Sequence, residues 1–364
     1  MRILLLSAYD AASHRYWREG LVRHLPEHEW TVLTLPPRHF SWRMRGNSLS
    51  WAWGERERLS HDYDLLIATS MTDLSALRGM LPALARVPTL VYFHENQFDY
   101  PASGNEFQSV EPEVLNLYTA LCADRILFNS DYNRRTLLEG AGLLLQRLPD
   151  QVPAGLVARL AARSEVLPVP LSEQSFQPPG QRGEVLQMVW NHRWEFDKGP
   201  ELLLAAMRLL SARRDDFVLH VVGQRFRRVP EAFGQLRELL GERIGYWGHI
   251  ESVGEYRRLL RQADLVLSTA LHDFQGIALL EGVAAGALPV VPDRLAYREL
   301  FPEECRYRGD DEAAVLAAHL ERRIDEKRSG VQWRLPDLRH LGWGRLADRY
   351  REVIEQVVAA GAGT

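Results

Sequence analysis

The chain has 364 residues, of which 46% are hydrophobic and 25% are charged, and its formal net charge is -4. This composition is that of a folded globular protein, and it excludes a long disordered or fibrous chain. The slightly negative charge argues against a general nucleic-acid binder, although it does not exclude a local basic patch. The length predicts two domains, each with its own hydrophobic core.

Cysteine usage and hydropathy predict the compartment. Cys122 and Cys305 lie far apart among apolar neighbours, which argues against a disulfide framework and against a cysteine metal site. The apolar run RILLLS is much shorter than the core of a signal peptide, and no segment approaches the ~20 apolar residues of a membrane span. We therefore expect a cytoplasmic protein without a membrane-spanning segment.

The first half of the chain alternates apolar runs of strand length with longer amphipathic segments. The predicted strands are 3–7, 31–35, 65–68, 89–93 and 126–129, and the predicted helices are 14–25, 72–85, 112–123 and 133–139. Continuous apolar strands between amphipathic helices are typical of a parallel sheet that is covered on both faces.

After the proline-rich passage VLPVPLSEQSFQPPG the same alternation starts again. The predicted strands are 186–191, 218–222, 244–247, 265–268 and 288–291, and the predicted helices are 200–213, 230–240, 253–262 and 276–285. We therefore predict an α/β fold of two facing Rossmann-like, doubly wound domains, with ligands in an interdomain cleft at the carboxyl ends of the strands. The predicted boundaries are 1–172 for the first domain, 173–184 for a linker and 185–340 for the second domain. A last helix within 341–364 is expected to pack back on the first domain.

Two cations follow the first strand of the second domain, in the stretch NHRWEFDKGP. Arg193 and Lys198 are expected at the carboxyl end of that strand, where they can hold and neutralise a diphosphate. The alternative is that they pair with Glu195 and Asp197 in an ordinary surface turn.

Two acids flank a predicted helix start in LHDFQGIALLEG. Gly276 opens the helix, and the amide groups that begin at Ile277 are candidates to bind phosphate oxygens. Glu281, about one and a half turns further on, can accept hydrogen bonds from the two hydroxyls of a ribose, while Asp273 can meet a sugar. The alternative for Glu281 is a partly buried acid that is satisfied by a nearby arginine.

The fourth predicted strand of the first domain ends in a polar sequence, His94 followed by Glu95, Asn96 and Gln97. Imidazole, carboxylate and amide groups in this position are suited to bind the hydroxyls of a polar ligand. The alternative is a histidine that merely caps the strand.

The stretch SAYDAASH joins the first strand to a helix. We expect Ser13 to cap that helix and Asp10 or His14 to face the ligand. Because the stretch has no glycine, it is only a weak match to a phosphate-binding loop.

Residues 37–58 interleave aromatic side chains with arginines: Phe40, Trp42, Trp51 and Trp53 alternate with Arg38, Arg43 and Arg45. Such a surface can stack on RNA bases and contact phosphates, and we name Trp42, Arg43 and Arg45 as candidate contacts. The alternative is a folded loop in which arginines stack on tryptophans.

No catalytic metal is predicted. The pair Asp62 and Asp64 resembles a metal-binding motif of sugar transferases, but it lies at the entrance of a strand rather than at its exit. No other histidine or carboxylate group has metal-ligand spacing.

Together these motifs resemble the donor site of retaining family 4 glycosyltransferases, which have the two-Rossmann-domain (GT-B) architecture. More narrowly, SAYDAASHRYW, TLPPRHFSWRMR, YFHENQFDYP, ILFNSDYN, NHRWEFDKGP and STALHDFQGIALLEG resemble the tRNA-queuosine mannosyltransferase family. The similarity extends over nearly the whole chain.

This resemblance implies a metal-independent retaining transferase that moves a hexose, mannose from GDP-mannose, to queuosine in a tRNA anticodon. No cofactor is implied beyond the nucleotide-sugar co-substrate. By the same resemblance, Arg193 and Lys198 would bind the diphosphate and Glu281 the ribose. Asp273 would bind the transferred sugar, and His94 would contact the sugar or the acceptor near the reacting carbon.

Two departures from the family pattern leave the donor sugar open. The family usually has glutamate where this chain has Asp273, which is shorter by one carbon bond of ~1.5 Å, and two glycines where it has Ala11 and Ala12. Two other functions therefore stay open: a glycosyltransferase for a small-molecule, lipid or glycan acceptor, and a non-catalytic nucleotide-sugar or RNA binding protein. The intact Arg193, Lys198, His94 and Glu281 count against the second.

Overall fold

The computed structural model describes residues 1–99, 109–225 and 228–361. They form two compact units, the first made of Met1–Pro170 with Trp343–Thr364 and the second of Leu171–Gly342. Each unit contains a six-stranded parallel sheet with helices, so the prediction of two doubly wound α/β domains is confirmed. Tyr100 and Pro101, the last residues of the YFHENQFDYP motif, lie outside the described residues.

Twelve strands were identified in these ranges. They are β1 (Arg2–Ser7), β2 (Glu29–Thr34), β3 (Leu65–Thr69), β4 (Thr89–Phe93), β5 (Arg125–Phe128), β6 (Ser164–Val166), β7 (Leu186–Asn191), β8 (Phe217–Val222), β9 (Ile244–Gly248), β10 (Leu265–Leu267), β11 (Leu288–Pro292) and β12 (Arg306–Tyr307). The spatial order is β2-β1-β3-β4-β5-β6 in the first unit and β12-β11-β10-β7-β8-β9 in the second.

Fourteen α-helices connect and cover these strands within the same ranges. They are α1 (Ala12–His24), α2 (Phe40–Gly54), α3 (Arg56–Leu59), α4 (Leu74–Met80), α5 (Glu111–Leu121), α6 (Asp131–Arg147), α7 (Leu156–Ala162), α8 (Pro200–Ser211), α9 (Glu231–Leu240), α10 (Val253–Gln262), α11 (Ile277–Ala284), α12 (Tyr297–Leu300), α13 (Glu312–Arg328) and α14 (Trp343–Gly361). None of them combines the length and the apolar character that a membrane span needs.

The central strands are apolar along their whole length because helices cover both faces of each sheet. Every residue of β3, β4 and β11 is buried. The register places Leu5 beside Ile67 and Ile67 beside Leu90, which aligns the apolar rows of β1, β3 and β4. Since all strands of a sheet run in the same direction, the polar residues that follow them collect at one edge.

The C-terminal helix α14 packs on the first unit. Trp343 stacks on His24 of α1 at a centroid distance of 4.5 Å, and the indole Nε1 of Trp17 donates to the hydroxyl of Tyr350 at 3.0 Å. That hydroxyl in turn donates to the carbonyl of Pro168 at 3.0 Å. A buried hydrogen-bond chain thus joins the end of the chain to α1 and to the segment after β6.

Residues 37–58 do not form the folded loop that the sequence offered as an alternative, since α2 and α3, which were not predicted, occupy most of this segment. Met44, Asn47, Ser48 and Trp51 are buried at helical spacing. The polar Asn47 hides the apolar stripe in the sequence, because its amide is satisfied inside the fold: Nδ2 donates to the carbonyls of Arg43 and Met71. These hydrogen bonds allow a polar residue at a buried position of the helix. An apolar residue at that position would have made the helical pattern visible in the sequence.

Other differences concern element ends and short elements. Strands β6 and β12 and helix α13 were not predicted, and α6 continues past Gly140 and Gly142, where the sequence suggested an end. The predicted helix 72–85 is broken before Pro82 into α4 and a 3-10 turn. Proline lacks the amide hydrogen that the helix would need there.

We expect Tyr350→Phe to destabilise the first unit by about 1–3 kcal/mol, because the buried Nε1 of Trp17 loses its acceptor and the carbonyl of Pro168 loses its donor. The loss in the free energy of unfolding is measured by urea titration, with hydrogen exchange of the β4 and α14 amides as the probe. Tyr118→Phe, on a tyrosine that is 50% exposed, is the matched control, and equal stability of the two variants would contradict the role given to the buried hydroxyl.

Candidate functional site

A buried ammonium group lies at the carboxyl ends of β7 and β10. The Lys198 side chain is only 9% exposed, and its Nζ donates to the carbonyl of His272 at 2.7 Å. It lies 3.2 Å from a carboxylate oxygen of Asp197 and 3.6 Å from one of Asp273. We call Asp197, Lys198 and Asp273 the lysine cluster.

The backbone around Lys198 requires a glycine. Gly199 has a φ of +66°, and a Cβ there would lie 2.1 Å from the carbonyl oxygen of Thr269. The hydroxyl of Thr269 donates to the carbonyl of Lys198 at 2.8 Å and accepts from the indole of Trp190 at 3.0 Å. The turn after β7 is therefore held directly against the end of β10, which brings the lysine to Asp273.

Asp273 stays ionised in this setting. Burial opposes ionisation, but the charge of Lys198 outweighs it and lowers the pKa of the carboxyl. The hydroxyl of Tyr297 donates to it at 3.4 Å, and the amide of Gln275 does so at the same distance. The cluster therefore presents a fixed carboxylate close to a fixed ammonium group.

Arg193 and Lys198 both have carboxylate partners, as the alternative interpretation of the sequence expected. Arg193 is 50% exposed and lies 3.0 Å from Glu195. Burial raises the pKa of Glu195, and the charge of Arg193 opposes this shift. Lys198, by contrast, is not part of an ordinary surface turn, because its ammonium group is buried.

A second polar group lies around α11. Gly276 precedes the helix with a φ of +73°, Ile277 is its first residue, and Glu281 lies inside it, as predicted. The hydroxyl of Tyr256 donates to Glu281 at 3.3 Å and accepts from Nδ2 of Asn191 at 3.0 Å. Burial raises the pKa of the Glu281 carboxyl to about 7. We call Asn191, Tyr256 and Glu281 the glutamate cluster.

In the first unit, two buried imidazole rings lie side by side after β4 and in α1. His14 and His94 have ring centroids 4.1 Å apart, and they are 2% and 6% exposed. Within the described part of the chain, neither nitrogen of His14 nor Nε2 of His94 has a hydrogen-bond partner. Burial lowers the pKa of both rings, that of His94 strongly. This histidine pair is therefore neutral, with hydrogen-bonding capacity that the fold leaves unused.

Hydroxyls at the end of β3 add to this unused capacity. Thr69, Ser70 and Thr72 are at most 1% exposed, and no partner for their hydroxyls occurs within the described residues. Thr69 lies beside Tyr92 in the register of β3 and β4, and the ring of Tyr92 is 4.6 Å from that of His94. These hydroxyls were missed in the sequence because short polar residues at strand ends are common.

The polar residues after His94 support the loop from inside. Asn96 is fully buried, and its Nδ2 donates to the carbonyl and the side-chain oxygen of Asn133. The backbone amide of Gln97 donates to the side chain of Asn116 at 2.8 Å, and Glu95 is half-buried. Asn96 therefore positions His94 rather than offering its own amide to a ligand.

The stretch before α1 differs from its predicted role. Ser13 does not cap the helix, since Ala11 occupies the N-cap and makes no side-chain hydrogen bond, and Ser13 is exposed within the first turn. Asp10 accepts two hydrogen bonds from Arg18, at 3.0 and 2.8 Å. Although burial opposes it, this arginine lowers the pKa of Asp10. Its carboxylate is therefore held inside the first unit.

Helix α2 places its predicted RNA contacts in three different environments. Arg43 is buried and donates to the carbonyl of Pro36, and Arg45 lies 2.9 Å from Asp73 and 2.7 Å from Glu111. Trp42 is 51% exposed. Trp42 and the half-exposed Arg45, which has two carboxylate partners, are therefore accessible on this segment, whereas Arg43 is not.

The sequence also left three neighbours of these groups unnamed. Asn191 and His192 are the two residues before Arg193. Their position at the end of a buried strand is the sequence feature that could have identified them as site residues. Tyr256 lies in the strongly amphipathic helix α10, where an aromatic residue indicates packing rather than a site. In the described ranges, no group of three or more histidine, cysteine or acidic residues is arranged to hold a metal ion.

Family models match both units. Residues 2–171 match the model described as "tRNA-queuosine alpha-mannosyltransferase N-terminal", and residues 172–327 match "Glycosyl transferases group 1". The chain is 31% identical over 315 residues to the tRNA-queuosine alpha-mannosyltransferase of Drosophila melanogaster. The aligned region covers 84% of this chain and 83% of that protein.

Solved structures show the same fold at low sequence identity. Sucrose-phosphate synthase from Thermosynechococcus elongatus has a TM-score of 0.72 and 14% identity, with 99% of this chain and 100% of that one covered. HepE from Anabaena, in complex with UDP, has a TM-score of 0.68 and 13% identity, with 98% and 100% covered. These likenesses confirm the fold that the sequence predicted.

The raised pKa of Glu281 predicts a pH-dependent stability. Between its ordinary value of 4.5 and about 7 the folded state keeps a proton that the unfolded chain loses, so the free energy of unfolding falls as the pH rises through this window. At about 1.4 kcal/mol per pKa unit the loss is up to about 3 kcal/mol. Glu281→Gln should lack it, and urea unfolding of both proteins from about pH 4 to about pH 8 measures the difference. A difference that does not change with pH would contradict the buried, protonated state.

Proposed function

The chain belongs to the tRNA-queuosine alpha-mannosyltransferase family, and we propose that it transfers a mannosyl group from GDP-mannose to queuosine in the anticodon of a tRNA. The observation that carries this proposal is the distribution of the matches. The first unit matches a model specific to this tRNA-modifying family, whereas the second matches a general glycosyltransferase model. Acceptor choice then belongs to the first unit and donor binding to the second.

The lysine cluster is proposed to bind the diphosphate. An anion there would meet the buried ammonium group of Lys198, which loses little side-chain freedom because it is already held. Since two carboxylates surround one lysine, further positive charge is needed. We infer that Arg193 exchanges Glu195 for a diphosphate oxygen, because a half-exposed ion pair of this kind contributes at most about 1 kcal/mol.

The glutamate cluster is proposed to bind the ribose. A carboxylate can accept hydrogen bonds from two neighbouring hydroxyls, and Tyr256 holds Glu281 from the other side. The amide groups at the start of α11, from Ile277 on, are available for phosphate oxygens. Asp273, ionised beside Lys198, is proposed to accept hydroxyls of the transferred sugar.

We propose that transfer retains the configuration of the anomeric carbon and needs no metal ion. Lys198 and Arg193 would stabilise the negative charge that develops on the departing diphosphate, which is the largest contribution expected from fixed charges in a site of this kind. A phosphate oxygen of the leaving group can take the proton of the acceptor hydroxyl, so no nucleophile of the protein is required.

The histidine pair is proposed to bind the acceptor, with His94 near the reacting carbon. Its rings are neutral, and both nitrogens of His14 and Nε2 of His94 have no partner among the described residues. Such groups are suited to the uncharged hydroxyls of a cyclopentenediol rather than to a phosphate. Buried polar atoms without partners cost about 1–3 kcal/mol each, so a ligand that satisfies them gains affinity.

We expect the purified protein to add one hexose mass to queuosine in tRNA when GDP-mannose is supplied, as measured by mass spectrometry of digested tRNA. Lys198→Ala should reduce the rate at least a hundredfold, because it removes a charge that acts on the leaving group. Lys327→Ala is the matched control, since Lys327 is the other lysine of the chain and pairs with Asp264.

Three results would contradict this assignment. If GDP-mannose is inactive while another nucleotide sugar modifies the tRNA, the donor is wrong. If a small hydroxylated molecule is modified and queuosine tRNA is not, the acceptor is wrong. Equal activity of the two lysine variants would remove Lys198 from the site.

Helix α2 is proposed to contact the RNA. Trp42, Leu49 and Trp53 lie on one helix face and are 51%, 46% and 65% exposed. Arg38 and Arg56 are exposed near the two ends of the helix. Aromatic side chains next to cations suit a single-stranded loop, where bases stack on the rings and phosphates meet the arginines.

Trp53→Ala should weaken tRNA binding about tenfold without changing its salt dependence, since a stacked base contributes about 1–3 kcal/mol. Arg56→Ala should instead lower the slope of log affinity against log salt concentration by about one. Leu143→Ala, at a side chain of α6 that is 62% exposed, is the control for the loss of an exposed apolar group. Filter binding at several salt concentrations measures all three variants, and wild-type affinity of Trp53→Ala would exclude α2 as an RNA contact.

A further inference from the structure

His192 is a buried histidine beside the lysine cluster that the proposed mechanism does not use. It follows Asn191, the last residue of β7, and is 5% exposed, with its ring 4.9 Å from that of Trp190. Its backbone is tightly enclosed, because a Cβ on Gly223 would lie 1.8 Å from its carbonyl oxygen. The ring therefore has little freedom to move.

One nitrogen of this ring is unpaired, since Nε2 has no partner within the described residues. The backbone of Leu267, at the end of β10, acts on the ring in the sense that favours a donating nitrogen. This assigns the hydrogen to Nδ1 and leaves Nε2 of the neutral ring as an acceptor with an unused lone pair. A buried acceptor of this kind destabilises the fold unless a ligand satisfies it.

The charged groups that act on the ring are Lys198, Asp273 and Asp197. Burial and the charge of Lys198 keep the ring neutral, with a pKa of about 4. The ammonium group already donates to the His272 carbonyl and lies close to both carboxylates. A ligand that satisfies Nε2 must therefore bring its own donor.

A hydroxyl group is such a donor, whereas a diphosphate at neutral pH carries no hydrogen to donate. Asp273 accepts hydroxyls in the proposed function, and it is among the charged groups that act on the His192 ring. We propose that Nε2 of His192 accepts a hydrogen bond from a hydroxyl of the transferred sugar and so contributes to the choice of donor sugar. This inference rests on the proposed function, in which the second unit binds a nucleotide sugar.

A specificity role follows from the cost of leaving Nε2 unpaired. A donor that lacks the hydroxyl at this position would bury the lone pair without a partner, and sites of this type reject such analogues strongly. A donor that has the hydroxyl satisfies Nε2 and gains the bond. The contacts of the nucleotide part are the same for both donors, so they do not change the difference in affinity between them.

Two substitutions separate the two nitrogens of the ring. In His192→Asn the side-chain amide can still donate to the Leu267 carbonyl in place of Nδ1, but no atom replaces Nε2. In His192→Gln the longer side chain can place an oxygen near the position of Nε2, although it loses the bond to Leu267. His220→Asn is the control, because His220 is also buried in the second unit but has both nitrogens bonded, to Gln187 and to the amide of Tyr246.

Calorimetric titration with GDP and with GDP-mannose tests the inference. We expect His192→Asn to bind GDP within twofold of the wild-type affinity and GDP-mannose at least tenfold more weakly, with His192→Gln between it and wild type. His220→Asn should bind both as wild type does. Equal losses for GDP and GDP-mannose would show that the ring contacts the nucleotide, and no loss for either would show that it only packs; each result overturns the inference.

Deoxy analogues of GDP-mannose identify the hydroxyl without relying on the stability of a variant. Removal of one hydroxyl should weaken wild-type binding at least tenfold but leave the binding to His192→Asn unchanged. If every analogue loses the same factor with both proteins, no hydroxyl couples to the ring and the inference fails. If the wild-type protein binds neither GDP nor GDP-mannose, the proposed donor is itself wrong and the inference falls with it. If the wild-type protein binds both and His192→Asn binds them equally well, only the inference on His192 is wrong.

Discussion

The candidate site of the second unit depends on one buried ion cluster, in which the ammonium group of Lys198 lies between the carboxylates of Asp197 and Asp273. A charge in this position needs full compensation, since an unpaired buried charge would cost several kcal/mol. The carbonyl of His272 completes the compensation, and the glycine turn after the lysine allows β7 and β10 to approach closely. One arrangement of charges thus fixes the lysine and keeps Asp273 ionised, while burial, together with the charge of Lys198, keeps the rings of His192 and His272 neutral.

The first unit prepares its polar groups in a different way. Buried asparagines satisfy the backbone around the loop after β4: Asn129 donates to the carbonyl of His94, and Asn133 donates to that of Phe93. The backbone at Phe93 and His94 is therefore held in place, while both nitrogens of His14 and Nε2 of His94 have no partner among the described residues. Because folded proteins pair nearly all buried polar atoms, unpaired ones concentrated at the end of β4 are where a ligand is expected. The two units thus combine paired charges with unpaired neutral groups, which fits an anionic donor and an uncharged diol acceptor.

Much of this arrangement could be predicted, and the exceptions have physical causes. The apolar runs of β1, β3, β4, β7 and β11 were unambiguous because both sheet faces are buried. Helix α2 was missed because Asn47, a residue typical of turns, is buried, and its side-chain amide donates to the carbonyl of Arg43 in the same helix and to that of Met71 outside it. The same limit applies to Arg43, whose charge suggested a phosphate contact but whose side chain is buried in the fold. A pattern of neighbouring residues does not show the partner, distant in the chain, that decides whether a polar side chain is buried or exposed.

The sequence by itself determined the two α/β domains, the order of their strands and helices, and the membership of a family, because apolar periodicity and strand-end motifs are properties of neighbouring residues. Only the tertiary structure decided which polar groups are paired. Asp10 is held by Arg18, whereas the nitrogens of His14, four residues further on, have no partner among the described residues. Likewise, Arg193 and His192 are adjacent in the chain, yet one is half exposed and the other is buried, with Nε2 unpaired among the described residues. Burial and hydrogen bonding depend on segments that are distant in the chain, so they decide which candidate residues are available to a ligand.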